Sequence, residues 1–112
     1  MMLSLERRFS EAPPEARLAS AIAEVAARSP EGTAIVVNAG AFTHSSWALH
    51  DALAAFDGVV VELHLSNPVT RESWRHTSVV SPVADAMISG VGGAGYRMAL
   101  EAVEVLLARR GR

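Results

Sequence analysis

The chain has 112 residues, of which 50% are apolar and 20% charged, and its formal net charge is −2. This fits one small domain over residues 1–112; the apolar content excludes a disordered tail, and the near-zero charge gives no reason to expect nucleic-acid binding. The absence of cysteine excludes disulfides and thiolate metal sites, and all ten basic residues are arginine, which excludes Schiff-base catalysis by lysine.

Nothing in the sequence predicts export or membrane insertion. No apolar run approaches the about 20 residues that span a bilayer. The N-terminus carries charges where an export signal needs an apolar core. We therefore expect a cytoplasmic protein without membrane contact.

The first predicted elements alternate between strands and helices. Residues 3–9 are predicted to form a strand and residues 13–28 a helix, which ends at the Ser-Pro-Glu-Gly sequence that follows. Residues 33–37 form an apolar, β-branched run, typical of a strand buried on both faces. Ser45 or Ser46 would cap the next helix, which places three apolar side chains on one face. These are Leu49, Leu53 and Phe56.

The second half continues this alternation. Residues 59–64 and 86–91 are predicted to form strands, separated by a polar segment over residues 66–78, and the last helix runs from about Tyr96 to Arg110. The order β-α-β-α-β-loop-β-α predicts an α/β fold, with a parallel sheet and helices on both faces. Ligands bind such sheets beyond the carboxyl ends of the strands, and the polar residues of this sequence cluster there.

Glu62 and His64 form the most suggestive pair. They lie two residues apart in a predicted strand, so their side chains point to the same face of the sheet. An imidazole titrates near neutrality and can act as a general acid or base, and a neighbouring carboxylate would fix its tautomer. A strand-end histidine that only forms local hydrogen bonds explains the sequence equally well.

The other polar candidates have plain structural explanations. His44 and Asp51 lie at the start of the second helix and on it, where polar groups are ordinary, and Arg75 lies in a loop where arginine is usually solvated. No His-x-His or His-Glu-x-x-His spacing occurs, so no metal is expected. The glycines of residues 92–95 lack the Gly-x-Gly-x-x-Gly pattern, which favours a tight turn over a phosphate loop.

Several motifs in register nevertheless resemble one family. Residues 38–46 and 48–53 resemble N-P-x-A-Y-T-H-T-S and A-L-R-D-A-L, and residues 62–67 are similar to E-x-H-x-S-N. Residues 71–76, Ser78 and residues 81–84 are similar to R-E-x-F-R-H, S and S-P-x-A. From about Thr33 to the C-terminus, the sequence thus resembles type II 3-dehydroquinate dehydratase, or type II dehydroquinase.

The resemblance implies a flavodoxin-like fold, no metal or organic cofactor, and a homo-oligomer, which in the family is usually a dodecamer built from trimers. It implies a lyase that converts 3-dehydroquinate to 3-dehydroshikimate by anti elimination, in the shikimate pathway to the aromatic amino acids or in quinate breakdown. His64 matches the general acid, and Glu62 matches the carboxylate that orients it. The matched substrate-binding positions are Asn38, His44 and Arg75 for the hydroxyls, Leu65 and Ser66 for the carboxylate, and Asp51 near a subunit contact.

The sequence departs from the family on its N-terminal side. The family begins with a central strand, a lid that carries a catalytic Arg and Tyr, and a first helix, and we find no counterpart of these here. Tyr96, the one tyrosine, matches a position at the start of the last helix and not the general base, so a packing role is expected. We therefore expect little or no dehydroquinase turnover from this chain alone. A dehydroquinase-like binding or accessory protein and a divergent lyase using His64 remain alternatives.

Overall fold

The computed structural model describes residues 34–110, which form one parallel sheet of three strands with two helices. The strands lie in the order β1 (Ala34–Val37), β2 (Val59–His64) and β3 (Ala86–Ser89). Helix α1 (Trp47–Ala54) connects β1 to β2, and helix α2 (Ala94–Arg110) follows β3. The strand predicted at residues 3–9 and the helix predicted at residues 13–28 lie outside the described residues.

Strand β2 lies between the other two and is buried along its whole length. Val61 pairs with Val36 of β1 on one side and with Ala86 of β3 on the other. A strand covered on both faces needs apolar side chains in both directions, which explains the continuous valine run at its start. The strand bounds match the prediction for residues 59–64.

The two helices cover opposite faces of the sheet, as predicted. Alternate residues of a strand point to opposite faces, so each strand contributes to two separate apolar clusters. The cluster under α1 contains Ile35, Val37, Leu49, Leu53, Phe56 and Val60, and the cluster under α2 contains Val36, Val59, Val61, Leu63 and Ala99. The predicted apolar face of the first helix, Leu49, Leu53 and Phe56, is thereby confirmed.

Helix α1 begins where the sequence predicts a cap. Ser46 is the N-cap residue, and its Oγ accepts a hydrogen bond from the Leu49 N–H at 3.1 Å. This bond satisfies one of the backbone donors that the first turn of a helix leaves unpaired.

The third strand is shorter than predicted, since it ends at Ser89 and not at residue 91. Gly90 and Gly92 adopt positive φ angles of 87° and 62°, which side chains disfavour, and so turn the chain. Their N–H groups bond to the carbonyl oxygens of His64 and Leu65. Helix α2 begins at Ala94, two residues earlier than predicted. Among the described residues, neither helix is long and apolar enough to cross a membrane.

Candidate active site

A cleft of about 190 Å³ opens at the edge of the sheet where β1 and β2 end. It is bounded by the residues that follow these strands and by the polar segment after β2. Its lining residues are Asn38, Gly40, His44, His64, Leu65, Ser66, Pro68, Arg71 and Arg75. Six of the eight predicted site residues therefore line one cleft, as expected for side chains at the carboxyl ends of parallel strands.

The Glu62–His64 pair forms as the strand periodicity predicts. His64 Nε2 lies 2.6 Å from Glu62 Oε2. The Glu62 side chain is completely buried, and His64 is 8% exposed at the wall of the cleft. Glu62 pairs with Val37 on one side and Met87 on the other, and His64 pairs with Ser89, so the sheet orients the pair.

Two serines complete the surroundings of the Glu62 carboxylate. Ser78 Oγ donates to Oε2 at 3.0 Å, and Ser81 Oγ donates to Oε1 at 2.5 Å. Burial by itself would raise the pKa of Glu62, but the hydrogen bonds from His64, Ser81 and Ser78 and the charge of His64 outweigh it and lower the pKa below its ordinary value. Glu62 is therefore ionised at neutral pH. Sequence reasoning assigned no role to either serine.

His44 and Arg75 are both packed against Trp74. The His44 and Trp74 rings meet edge to face with centroids 5.5 Å apart, and the Arg75 guanidinium lies 4.0 Å from the centroid of the Trp74 ring. The His44 Nδ1 donates to the Thr77 carbonyl at 2.7 Å, so Nε2 of the neutral ring is an acceptor. The Arg75 Nε donates to the Glu72 carboxylate. These contacts orient two polar groups toward the cleft.

Asn38 contacts Tyr96 of the last helix, α2. Its Nδ2 lies 3.5 Å from the hydroxyl oxygen of Tyr96, which is partly buried in the cluster under α2. Tyr96 thus packs as predicted and also contacts a predicted site residue. The side chains of Leu65 and Ser66 are exposed at the cleft.

Arg71 is a cleft residue that sequence reasoning did not single out. It lines the same cleft as Arg75 and adds a second arginine to it. The signal that could have identified it is its place as the first residue of the segment similar to R-E-x-F-R-H. Two arginines make the cleft suitable for a small anion.

Two predicted site residues do not line the cleft: Glu62 bonds to His64 at its wall, whereas Asp51 lies apart. It is exposed on the outer face of α1, on the same surface as Trp47, which is 63% exposed. Its place near a subunit contact stays a prediction. Within residues 34–110, no group of three or more potential ligands is arranged to hold a metal ion.

The fold and the site define an α/β protein in which a buried carboxylate–imidazole pair faces a cleft containing two arginines. The family model described as Dehydroquinase class II matches residues 2–104, so the chain belongs to this family.

Individual relatives support this family assignment. The chain is 48% identical to the 3-dehydroquinate dehydratase of Dinoroseobacter shibae over 90% of its own length and 65% of the relative's. It is 60% identical to 3-dehydroquinate dehydratase 2 of Pseudomonas aeruginosa, over 60% and 45% of the two lengths. The chain thus spans about half to two thirds of the length of these relatives.

Solved structures confirm the flavodoxin-like fold. The type II dehydroquinase of Butyrivibrio crossotus superposes with a TM-score of 0.76 at 38% identity, over 80% of this chain and 61% of that one. The type II dehydroquinase of Propionibacterium acnes gives a TM-score of 0.72 at 36% identity, over 80% and 63%.

Proposed function

We propose that this chain carries the acid–base site of a 3-dehydroquinate dehydratase, a lyase of the shikimate pathway. The observation that carries the proposal is the 2.6 Å contact between His64 Nε2 and Glu62 Oε2, at the wall of a cleft that collects six predicted site residues. The names of the relatives support this substrate, because the Dinoroseobacter shibae 3-dehydroquinate dehydratase matches 90% of this chain at 48% identity.

The proposed reaction removes water from the substrate ring. A base takes a proton from the carbon next to the ketone, the C–O bond of the leaving hydroxyl breaks, and a C=C bond forms in conjugation with the carbonyl. Within residues 34–110 we assign no side chain to this base, and water can accept the proton. His64 donates its proton to the departing hydroxyl, which leaves as water. The ionised Glu62 stabilises the imidazolium before this transfer and keeps the ring oriented. No metal or organic cofactor takes part in this scheme.

The cleft offers groups that suit a polyhydroxylated ring acid. Asn38, His44 and Arg75 are proposed to bind the substrate hydroxyls, and Leu65 and Ser66 to hold its carboxylate. Arg71 adds positive charge near the same space. Amide, imidazole and guanidinium groups suit this substrate because each forms directed hydrogen bonds with hydroxyl or carboxylate oxygens.

We further propose that the protein is a cytoplasmic homo-oligomer built from trimers, with residues 1–112 belonging to a single domain. The exposed surface of α1 supports a subunit contact, because Trp47 is large, apolar and 63% exposed. Asp51 lies on the same surface and would reach the site of a neighbouring copy. Analytical ultracentrifugation tests the assembly: a purely monomeric chain would contradict it.

The catalytic proposal is tested with the purified chain and 3-dehydroquinate. Calorimetry measures binding, and the absorbance of the conjugated enone measures turnover. We expect His64→Gln to lower kcat by about 10²–10⁴-fold with little change in binding, which is the range for general acid–base catalysis. His50→Gln is the matched control, because His50, on α1, bonds to the Val79 carbonyl and does not line the cleft.

Three outcomes would contradict the proposal in different ways. Absence of 3-dehydroquinate binding would exclude the substrate. Turnover that survives His64→Gln would exclude His64 as the acid. Binding without any turnover by the wild-type chain would favour the binding or accessory protein.

A further inference from the structure

The hydroxyl of Ser78 is at the centre of a hydrogen-bond cluster between the loop before β3 and Glu62. Its oxygen accepts from the backbone N–H groups of Val80, at 3.1 Å, and Ser81, at 3.0 Å. A hydroxyl oxygen has two lone pairs and one proton, so these two bonds occupy both lone pairs. The proton is left for Glu62 Oε2, at 3.0 Å. Ser78 can therefore only donate to this carboxylate, and we call its hydroxyl the locked donor.

Ser81 contacts the same carboxylate without this restriction. Its hydroxyl donates to Glu62 Oε1, and no described residue donates to its oxygen. The Ser81 hydroxyl can therefore rotate and accept a bond if Oε1 becomes protonated. Ser81 is also exposed, so water can take its place, whereas Ser78 is partly buried.

The donor at Ser78 acts on His64 through the Glu62 carboxylate. Glu62 Oε2 accepts from a hydroxyl that can only donate, which favours the ionised form of the carboxylate. An ionised carboxylate has no proton to give, so the proton of its 2.6 Å contact with His64 Nε2 comes from the imidazole. A neutral imidazole carries one N–H proton. In His64 this proton is therefore on Nε2, and Nδ1 is unprotonated. Among the described residues, His64 Nδ1 has no hydrogen-bond partner, which leaves it free for a ligand.

We propose that Ser78 is a positioning residue, whose locked hydroxyl holds the proton of the neutral His64 ring on Nε2 and leaves Nδ1 to exchange a proton with the ligand. The catalytic consequence rests on the proposed function, whereas the tautomer is a property of the free protein. A second cavity of about 600 Å³ adjoins the cleft, and Glu62, His64, Ser78 and Ser81 are among its lining residues. The other charged or titratable groups that line the cleft or this cavity are His44, Arg71, Arg75 and His76. In the described part of the chain, none of them bonds to Glu62 or His64.

The first measurement is made on the wild-type chain. Long-range ¹H–¹⁵N spectra of protein with labelled histidine distinguish the two tautomers, and loss of a signal in His64→Gln assigns His64. We expect the neutral His64 ring to carry its proton on Nε2. A proton on Nδ1 would overturn the proposal, whatever the behaviour of any variant.

The second measurement compares variants that each remove one hydroxyl from the Glu62 carboxylate. Carbon-13 spectra follow the Glu62 carboxyl as the pH is lowered. Ser78→Ala should weaken the ionisation of Glu62 about tenfold, which raises its midpoint by about one pH unit, because a hydrogen bond to a charged group is lost. Ser81→Ala should raise the Glu62 midpoint less, since water replaces that exposed hydroxyl. Ser78→Thr keeps a hydroxyl and should show the wild-type midpoint. Unchanged midpoints in Ser78→Ala, or equal shifts in the two alanine variants, would refute the locked donor.

Turnover gives an independent readout of the same role. Ser78→Ala should lower kcat with KM unchanged and move the acidic limb of the pH profile upward, and Ser78→Thr should recover both. If the wild-type chain does not bind 3-dehydroquinate, the proposed function fails, while the wild-type tautomer still decides the proposal. Unaltered kcat in Ser78→Ala, together with a proton on Nε2, would show that Ser78 does not position His64 for catalysis.

Discussion

Gly95, in the first turn of α2, lies against Leu63 of the central strand. A Cβ atom placed on Gly95 would lie 2.7 Å from Leu63 Cδ1, closer than carbon atoms can approach without displacement. Leu63 is completely buried and directly precedes His64. The missing side chain therefore lets α2 pack closely on the strand that carries the Glu62–His64 pair.

Gly95→Ala should destabilise the protein by about 1–2 kcal/mol, which is typical of overpacking in a core. The gain in helix propensity should offset only part of this cost, because the residue lies in the first turn. Thermal unfolding measures the change. Gly93→Ala is the matched control, since a Cβ there would meet no atom within 4 Å. Equal melting temperatures for the two variants would show that the Leu63 side chain moves aside without a cost in stability.

Glu62 should make stability depend on pH. Its folded pKa lies below its ordinary value of 4.5, because the hydrogen bonds and charge of its neighbours outweigh burial. Such a group contributes stability that is complete above its unfolded pKa and is lost as the pH falls through the folded pKa. The wild type should therefore lose stability more steeply than Glu62→Gln on acidification below about pH 4.5.

Urea unfolding at stepwise lower pH checks this prediction. The control is Glu72→Gln, because the hydrogen bond from Arg75 also lowers the pKa of Glu72, but on an exposed side chain. Solvent screens that interaction, so this variant should follow the wild-type pH dependence closely. Parallel curves for the wild type and Glu62→Gln would contradict the role assigned to Glu62.

Under the proposed function, Arg75→Lys should weaken the binding of 3-dehydroquinate with little effect on the chemical step. The guanidinium stacks on Trp74 and bonds to Glu72, and lysine cannot reproduce this planar, multiply bonded arrangement. We expect KM for 3-dehydroquinate to rise about tenfold, the scale of a lost hydrogen bond to a charged group. Arg97→Lys, on the exposed surface of α2, should behave as wild type. A fall in kcat at constant KM would argue against a binding role for Arg75.

Thr43→Val should stabilise the protein by about 1 kcal/mol, because it removes a buried polar group without a partner. Within residues 34–110, Thr43 Oγ1 is the one buried side-chain polar atom that lacks a hydrogen bond, and Thr43 is 1% exposed. Thr43→Ser retains the hydroxyl and should show no gain. Chemical denaturation measures both, and a loss of stability in Thr43→Val would indicate that a bound water satisfies the hydroxyl.

Much of the described fold follows from local sequence patterns. The bounds of β2, the cap at Ser46 and the buried face of α1 depend on residues close together in the chain, so periodicity and capping preferences suffice to predict them. The same holds for the Glu62–His64 pair, because a spacing of two in a strand puts both side chains on one face.

Contacts between distant segments were decided only by the tertiary structure. Ser78 and Ser81 reach Glu62 across 16 and 19 residues, through a loop whose path no local pattern specifies. The close packing of Gly95 on Leu63 likewise depends on where α2 crosses the sheet. The sequence by itself determined the family, the alternation of strands and helices, and the Glu–His pair. The surroundings that keep the buried Glu62 ionised arose only when the chain folded, because hydrogen bonding depends on distance in space and not on separation along the chain.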